Sequence, residues 1–108
     1  MYLPNLKICG ITTCETARFC AEAGVGAVGA VFFKKSPRYV TPLHARALFD
    51  RLPARVARVG VFVDMPADEL LETALEAALD TVQLHGNEPL DDIRAAHRTG
   101  LHVVKVLK

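Results

Sequence analysis

The tetrapeptide K-I-C-G at residues 7–10 sets a thiol two positions after a lysine and directly before a glycine. On a β-strand Lys7 and Cys9 point to the same face, so an ammonium group and a thiol would share one surface. A thiol is a weak base until positive neighbours favour its ionised form. Other groups able to do chemistry are Arg38 in K-K-S-P-R, Asp64 in V-F-V-D, and Gln83 and His85 in V-Q-L-H-G-N-E. A guanidinium grips a planar carboxylate through two parallel hydrogen bonds, and an imidazole moves a proton near neutral pH. Each residue also has a bland reading. Cys9 would fill a core, Arg38 would be a solvated loop charge, Asp64 would cap a helix or add rim polarity, and His85 would be a structural donor. Placement decides between the two sets.

The elements that must do the placing alternate along the chain. Apolar, β-branched runs at 6–11, 27–33, 56–63, 81–84 and 101–107 read as strands, several of them nearly continuous, as in a parallel sheet covered by helices. Between them lie helical stripes: Ala17, Cys20, Ala21 and Gly24; Ala45, Leu48, Phe49 and Leu52; Leu71, Ala74, Leu75 and Ala78; and a weaker one at Ile93, Ala96 and His97. Thr12 and Glu15 form a T-x-x-E capping box ahead of the first helix. Thr41 precedes Pro42, a capping hydroxyl before a proline at the first helical position. Gly24 and Gly100 stand where helices should stop.

Composition narrows the field. The 108 residues are 51% hydrophobic and 23% charged with a net charge of +1, ordinary for one globular domain. The densest basic cluster, Lys34 and Lys35 with Arg38, is too small for a nucleic-acid arm, so no nucleic-acid partner is expected. No apolar run approaches the roughly 18 residues of a membrane span, and M-Y-L-P-N-L-K lacks the pattern of a signal peptide. The cysteines at 9, 14 and 20 match neither a C-x-x-C pair nor a common zinc pattern. The expectation is a cytoplasmic chain with reduced thiols and no membrane partner.

Five strands alternating with four helices give a parallel sheet through right-handed crossovers. Two architectures fit: an open doubly wound sheet, complete at this length, or the first part of an eight-fold β/α barrel, which normally needs about 200 residues or more. Both put function at the carboxyl ends of the strands. There the first strand delivers Cys9 and Gly10, the second runs into Ser36 and Arg38, the third ends at Asp64, and the fourth delivers Gln83 and His85. Ordinary loop polarity accounts well for Lys34 and Glu88. It accounts less well for a cysteine in the first strand and a glutamine inside the fourth.

The segments L-K-I-C-G-I-T, G-A-V-F-F-K-K-S-P-R-Y-V-T-P, V-G-V-F-V-D and V-Q-L-H-G-N-E resemble, in order and spacing, the successive strand-end motifs of phosphoribosylanthranilate isomerases, from about residue 6 to residue 108. The resemblance implies the TIM-barrel family of α/β folds, here an N-terminal portion of five parallel strands and four helices, with residues 1–108 as a single partial barrel domain. It implies an intramolecular oxidoreductase-type isomerase of tryptophan biosynthesis. The reaction would be the Amadori rearrangement of N-(5'-phosphoribosyl)anthranilate to 1-(2-carboxyphenylamino)-1-deoxyribulose 5-phosphate, with a small phosphoribosyl substrate and neither metal nor cofactor. Cys9 matches the family's general base, and an aspartate is its general acid. Arg38 matches the arginine that meets the anthranilate carboxylate, while Gln83 and His85 line the same site. Lys7 and Arg38 are expected to stabilise the Cys9 thiolate, with Asp64 a further electrostatic contributor.

One part of the pattern is missing. The family's catalytic aspartate follows a later strand and its phosphate sits in glycine-rich loops later still; no residue here matches either, and Asp64 holds the place of a third-strand residue. The expectation is therefore an incomplete chain, inactive alone. Open parallel edges leave unpaired N–H and C=O groups, so a homo-oligomer or a complementary C-terminal half is expected to cover them. The alternative is a complete barrel-derived binding or scaffold domain without catalysis.

Overall fold

The computed structural model describes residues 3–106. They form strands β1 (Leu3–Cys9), β2 (Val25–Val31), β3 (Ala57–Phe62), β4 (Thr81–Leu84) and β5 (His102–Lys105). Helices α1 (Cys14–Ala23), α2 (Pro42–Phe49), α3 (Ala67–Ala77) and α4 (Leu90–Arg98) alternate with them. All neighbouring pairs are parallel and the order is β1-β2-β3-β4-β5. A doubly wound sheet reverses its order at a switch point; a barrel wall advances one strand at a time. The sequential order decides for the barrel family. No helix among the described residues is long and apolar enough to cross a membrane.

Register divides the sheet into two faces. Val28, Ala30 and Phe32, with Phe62, Val82 and Leu84, join Ala17, Cys20, Ala45, Leu48, Phe49, Leu70, Ala77 and Ala96 of the helices in one buried cluster. Phe32 and Phe62 stack with ring centroids 5.3 Å apart. Gly60 lies beneath that pair, where a Cβ would come within 2.8 Å of the Phe62 ring, so the packing tolerates no side chain there. On the opposite face the rows Cys9–Gly29–Val59–Thr81 and Val31–Val61–Gln83–Val104 run across the strands. That inner face carries the polar side chains.

Several element boundaries move from where the sequence places them. β1 starts at Leu3 and ends at Cys9, because Gly10 turns at φ +78°. The amides of Gly10 and Ile11 both then donate to the Gly29 carbonyl. Ile11, taken as strand, instead plugs the core at 2% exposure. β2 covers Val25–Val31 and β5 His102–Lys105, both shorter at their carboxyl ends than the apolar runs; residue 107 of the last run lies outside the described residues.

The first helix is capped by Thr13, not by the Thr12–Glu15 box. Thr13 Oγ1 accepts from the Thr16 amide at 3.1 Å, while the Thr12 carbonyl meets the His44 ring at 2.7 Å. Thr41 caps α2 as expected, accepting from the His44 amide at 3.2 Å. Gly24 closes α1 in the left-handed region, and Gly100 follows α4 at φ +92°. At the other end of the sheet, Arg58 donates to the carbonyls of Phe49, Leu52 and Val56 at 2.9–3.2 Å and its amide meets both oxygens of Asp80. This lock holds the end of α2 under β3, away from the polar rim.

Helix α3 is rotated by one residue from the expected face. Its buried stripe is Leu70, Thr73, Ala74 and Ala77, whereas Leu75 is 80% exposed and Ala78 is exposed at a left-handed cap. Apolar residues occupy both adjacent stripes, Leu70–Leu71, Ala74–Leu75 and Ala77–Ala78, so spacing alone cannot set the phase. Leu70→Ala will lower stability by about 2–4 kcal/mol and Leu75→Ala by no more than about 0.5 kcal/mol, measured by urea unfolding. Equal losses would return the stripe to Leu71 and Leu75.

Candidate active site

Cys9 ends β1 with its side chain exposed on the inner face. Its neighbour on β2 is Gly29, where an added Cβ would lie 3.2 Å from Cys9 Sγ and 3.5 Å from Lys7 Cε. The missing side chain makes room for both. Arg38 reaches the same corner from the loop after β2. That loop folds back on its strand, with the Val40 amide donating to the Val31 carbonyl at 3.1 Å and the Arg38 amide to Ser36 Oγ at 3.1 Å. The arginine side chain then crosses directly over Gly10, where a Cβ would overlap its Cδ. Gly10 therefore serves both the turn and the close approach of Arg38.

Lys7 reaches across the inner face to β4, and its ammonium group donates to Gln83 Oε1. The Gln83 amide nitrogen lies 2.8 Å from His85 Nε2. The His85 amide donates to the Phe62 carbonyl at 2.9 Å, which sets the loop after β4 against the end of β3. Lys7, Gln83 and His85 thus form one polar row, all half-buried. The Lys7 ammonium is hydrogen-bonded to the glutamine, while its aliphatic stem lies beside the thiol above Gly29. Asp64 faces elsewhere: it is exposed at φ 52°, and its Oδ1 accepts from the Asn87 amide at 2.6 Å. α3 has no side-chain cap, so Asp64 is not a helix cap.

Glu88, read from sequence as ordinary loop polarity, is buried. Its Oε2 accepts from the amides of Asp64 at 2.9 Å and Gly86 at 3.0 Å. Its Oε1 pairs with Lys105 Nζ at 2.7 Å, and Lys105 also donates to the Gly86 carbonyl. Gly86 has no room for a side chain, since a Cβ would sit 2.8 Å from the Asp64 amide nitrogen. One carboxylate thereby joins the ends of β3, β4 and β5. The signal available in the sequence was Lys105 itself, a charge inside an apolar strand, which needs a partner when it packs against a core. Burial raises the Glu88 pKa, but Lys105 and the three loop and self amides outweigh it and hold the group at about 2. Of the other thiols, Cys14 is half-buried and Cys20 fully buried. Burial pushes the Cys20 thiol upward against an opposing backbone hydrogen bond, so it stays protonated and inert.

Sequential parallel strands with a thiol, a guanidinium, an amide and an imidazole gathered at their carboxyl ends define a β/α-barrel protein with its polar rim where barrel enzymes do chemistry. Residues 6–108 match the model of the N-(5'phosphoribosyl)anthranilate (PRA) isomerase family, and the chain belongs to that family. It is 45% identical over 106 residues to the N-(5'-phosphoribosyl)anthranilate isomerase of Rubrobacter xylanophilus, covering 98% of this chain and 52% of the relative. The crystal structure of the Thermotoga maritima phosphoribosyl anthranilate isomerase superposes with a TM-score of 0.87 at 45% identity, over 97% of this chain and 50% of that one. A phosphoribosyl anthranilate isomerase in complex with reduced 1-(o-carboxyphenylamino)-1-deoxyribulose 5-phosphate also superposes at 0.87 and 45% identity, over 97% of this chain and 53% of that one. The chain spans about half the length of the curated relatives it matches.

The Glu88 cluster makes the rim acid-sensitive. A carboxylate whose folded pKa lies below its unfolded value of 4.5 stabilises the fold above pH 4.5, and loses that contribution as pH falls toward its folded pKa of about 2. Glu88→Gln will cost about 2–3 kcal/mol at neutral pH. The gap to the wild type will close as pH is lowered through that window. Urea unfolding across this range checks both points, and a gap independent of pH would remove the ionised carboxylate from the account.

Proposed function

We propose that this chain supplies the Cys9 side of a phosphoribosylanthranilate isomerase site. The observation that carries the reading is the convergence of Cys9, Arg38, Gln83 and His85 at the strand ends of a chain belonging to that family. In the proposed reaction, protonation of the ribose ring oxygen opens N-(5'-phosphoribosyl)anthranilate to an iminium ion. The Cys9 thiolate removes the proton from C2', leaving an enolamine, which ketonises to 1-(2-carboxyphenylamino)-1-deoxyribulose 5-phosphate. C1 is reduced as C2 is oxidised, so the electrons balance within the substrate and the chemistry requires no cofactor. Arg38 holds the anthranilate carboxylate, and Gln83 and His85 line the same site.

The general acid and the phosphate site are assigned outside the residues described. On this reading residues 1–108 act as a single partial barrel domain in the cytoplasm, in tryptophan biosynthesis. A complementary set of βα units or a second copy covers the outer strands. Membership of an isomerase family weighs against the non-catalytic scaffold alternative.

Alkylation tests the ligand half of the proposal. Iodoacetamide will label Cys9 far faster than Cys20. Reduced 1-(o-carboxyphenylamino)-1-deoxyribulose 5-phosphate will slow the Cys9 label several-fold, and Arg38→Ala will remove most of that protection. An unchanged Cys9 rate at millimolar analogue overturns the assignment. Turnover tests the other half. The purified 108-residue chain alone will show none above the uncatalysed rate. Together with a polypeptide carrying later βα units it will isomerise the substrate, and Cys9→Ala will lower that rate by about 10²–10⁴-fold. Turnover by the chain alone would sink the division of base and acid.

A further inference from the structure

Lys7, Gln83 and His85 form a chain of hydrogen bonds whose two ends are chemically unequal. An ammonium group only donates. The Gln83 atom facing Lys7 is therefore the amide oxygen, and this orientation turns the amide NH2 toward His85. The ring nitrogen that meets this NH2, Nε2 at 2.8 Å, has to accept. A neutral imidazole carries one proton, so it sits on Nδ1. Among the described residues the His85 ring makes no second hydrogen bond.

We propose that Lys7 is a positioning residue which, acting through Gln83, fixes His85 as the Nδ1–H tautomer. The ring then presents an N–H donor, and its Nε2 lone pair is occupied. Resting on the isomerase reading, His85 contacts a substrate oxygen as a donor and takes no part as a base through Nε2, which leaves proton abstraction to Cys9. The relay also explains why a lysine stem passes the thiol and continues to β4: its charge orients an amide that would otherwise be free to turn over.

The tautomer is measured directly by long-range 15N–1H correlation on the full chain with 15N-labelled histidine and the ring neutral. His85→Gln identifies the signal among the four histidines. The wild type will show the Nδ1–H pattern. Lys7→Met will reduce it to a mixture of tautomers, because the amide can then turn either way. Gln83→Glu will invert it to Nε2–H, since a carboxylate can only accept and the facing nitrogen must donate. A wild-type Nε2–H pattern, or one tautomer shared by all three proteins, overturns the proposal. The wild-type spectrum is decisive even where a variant fails to fold. The outcome is independent of alkylation protection, so failure of the relay and failure of the isomerase reading are told apart.

Discussion

Every strand of this sheet has to satisfy two faces at once. A side-chain period of two means that each apolar residue sealing the helix side leaves its neighbours pointing into the barrel interior. On β2, Val28 and Ala30 enter the helix-side core, while Gly29 between them opens the inner face beside Cys9 and Lys7. On β4, Val82 and Leu84 are buried under helices, and Gln83 between them meets Lys7. The inner-face chemistry is thus held in register by a core on the other side of the same strands.

The two ends of the sheet are fastened differently. At one end Arg58 gathers three carbonyls around the end of α2 and Asp80 holds its amide. These contacts fix where strands begin. At the rim a single buried carboxylate, Glu88, draws together three strand ends through two amides and Lys105. It ties down the loop after β4 that carries His85, which stays half-buried on the rim. A buried charge deprived of its partners is strongly destabilising, and Glu88 keeps a full set of them.

The βα alternation was legible from periodicity, as were the strand-end positions of Cys9, Arg38, Gln83 and His85. Thr41 with Pro42 and the glycine at 24 marked helix ends correctly, because those signals act within one turn of backbone. Elsewhere two local signals competed. Thr12 and Thr13 both suit a cap, and the contact of the Thr12 carbonyl with His44, 32 residues away, accompanies a cap at Thr13. Leu71 and Leu75 match helical spacing as well as Leu70 and Ala74 do, and packing against the sheet chose the latter. Glu88 looked like any loop acid until its partner Lys105 was brought beside it.

By itself the sequence determined the class of each segment, the two-faced strands and the family, since periodicity and linked motifs are properties of the chain read in order. Periodicity left two architectures open and the linked motifs implied the barrel; the tertiary structure showed it as a strand order. Only the tertiary structure set the phase of α3, and the pairing of Lys7 with Gln83 across 76 positions of sequence. Those outcomes depend on which surfaces meet in space. Register and burial set that, and no local pattern of residues encodes it.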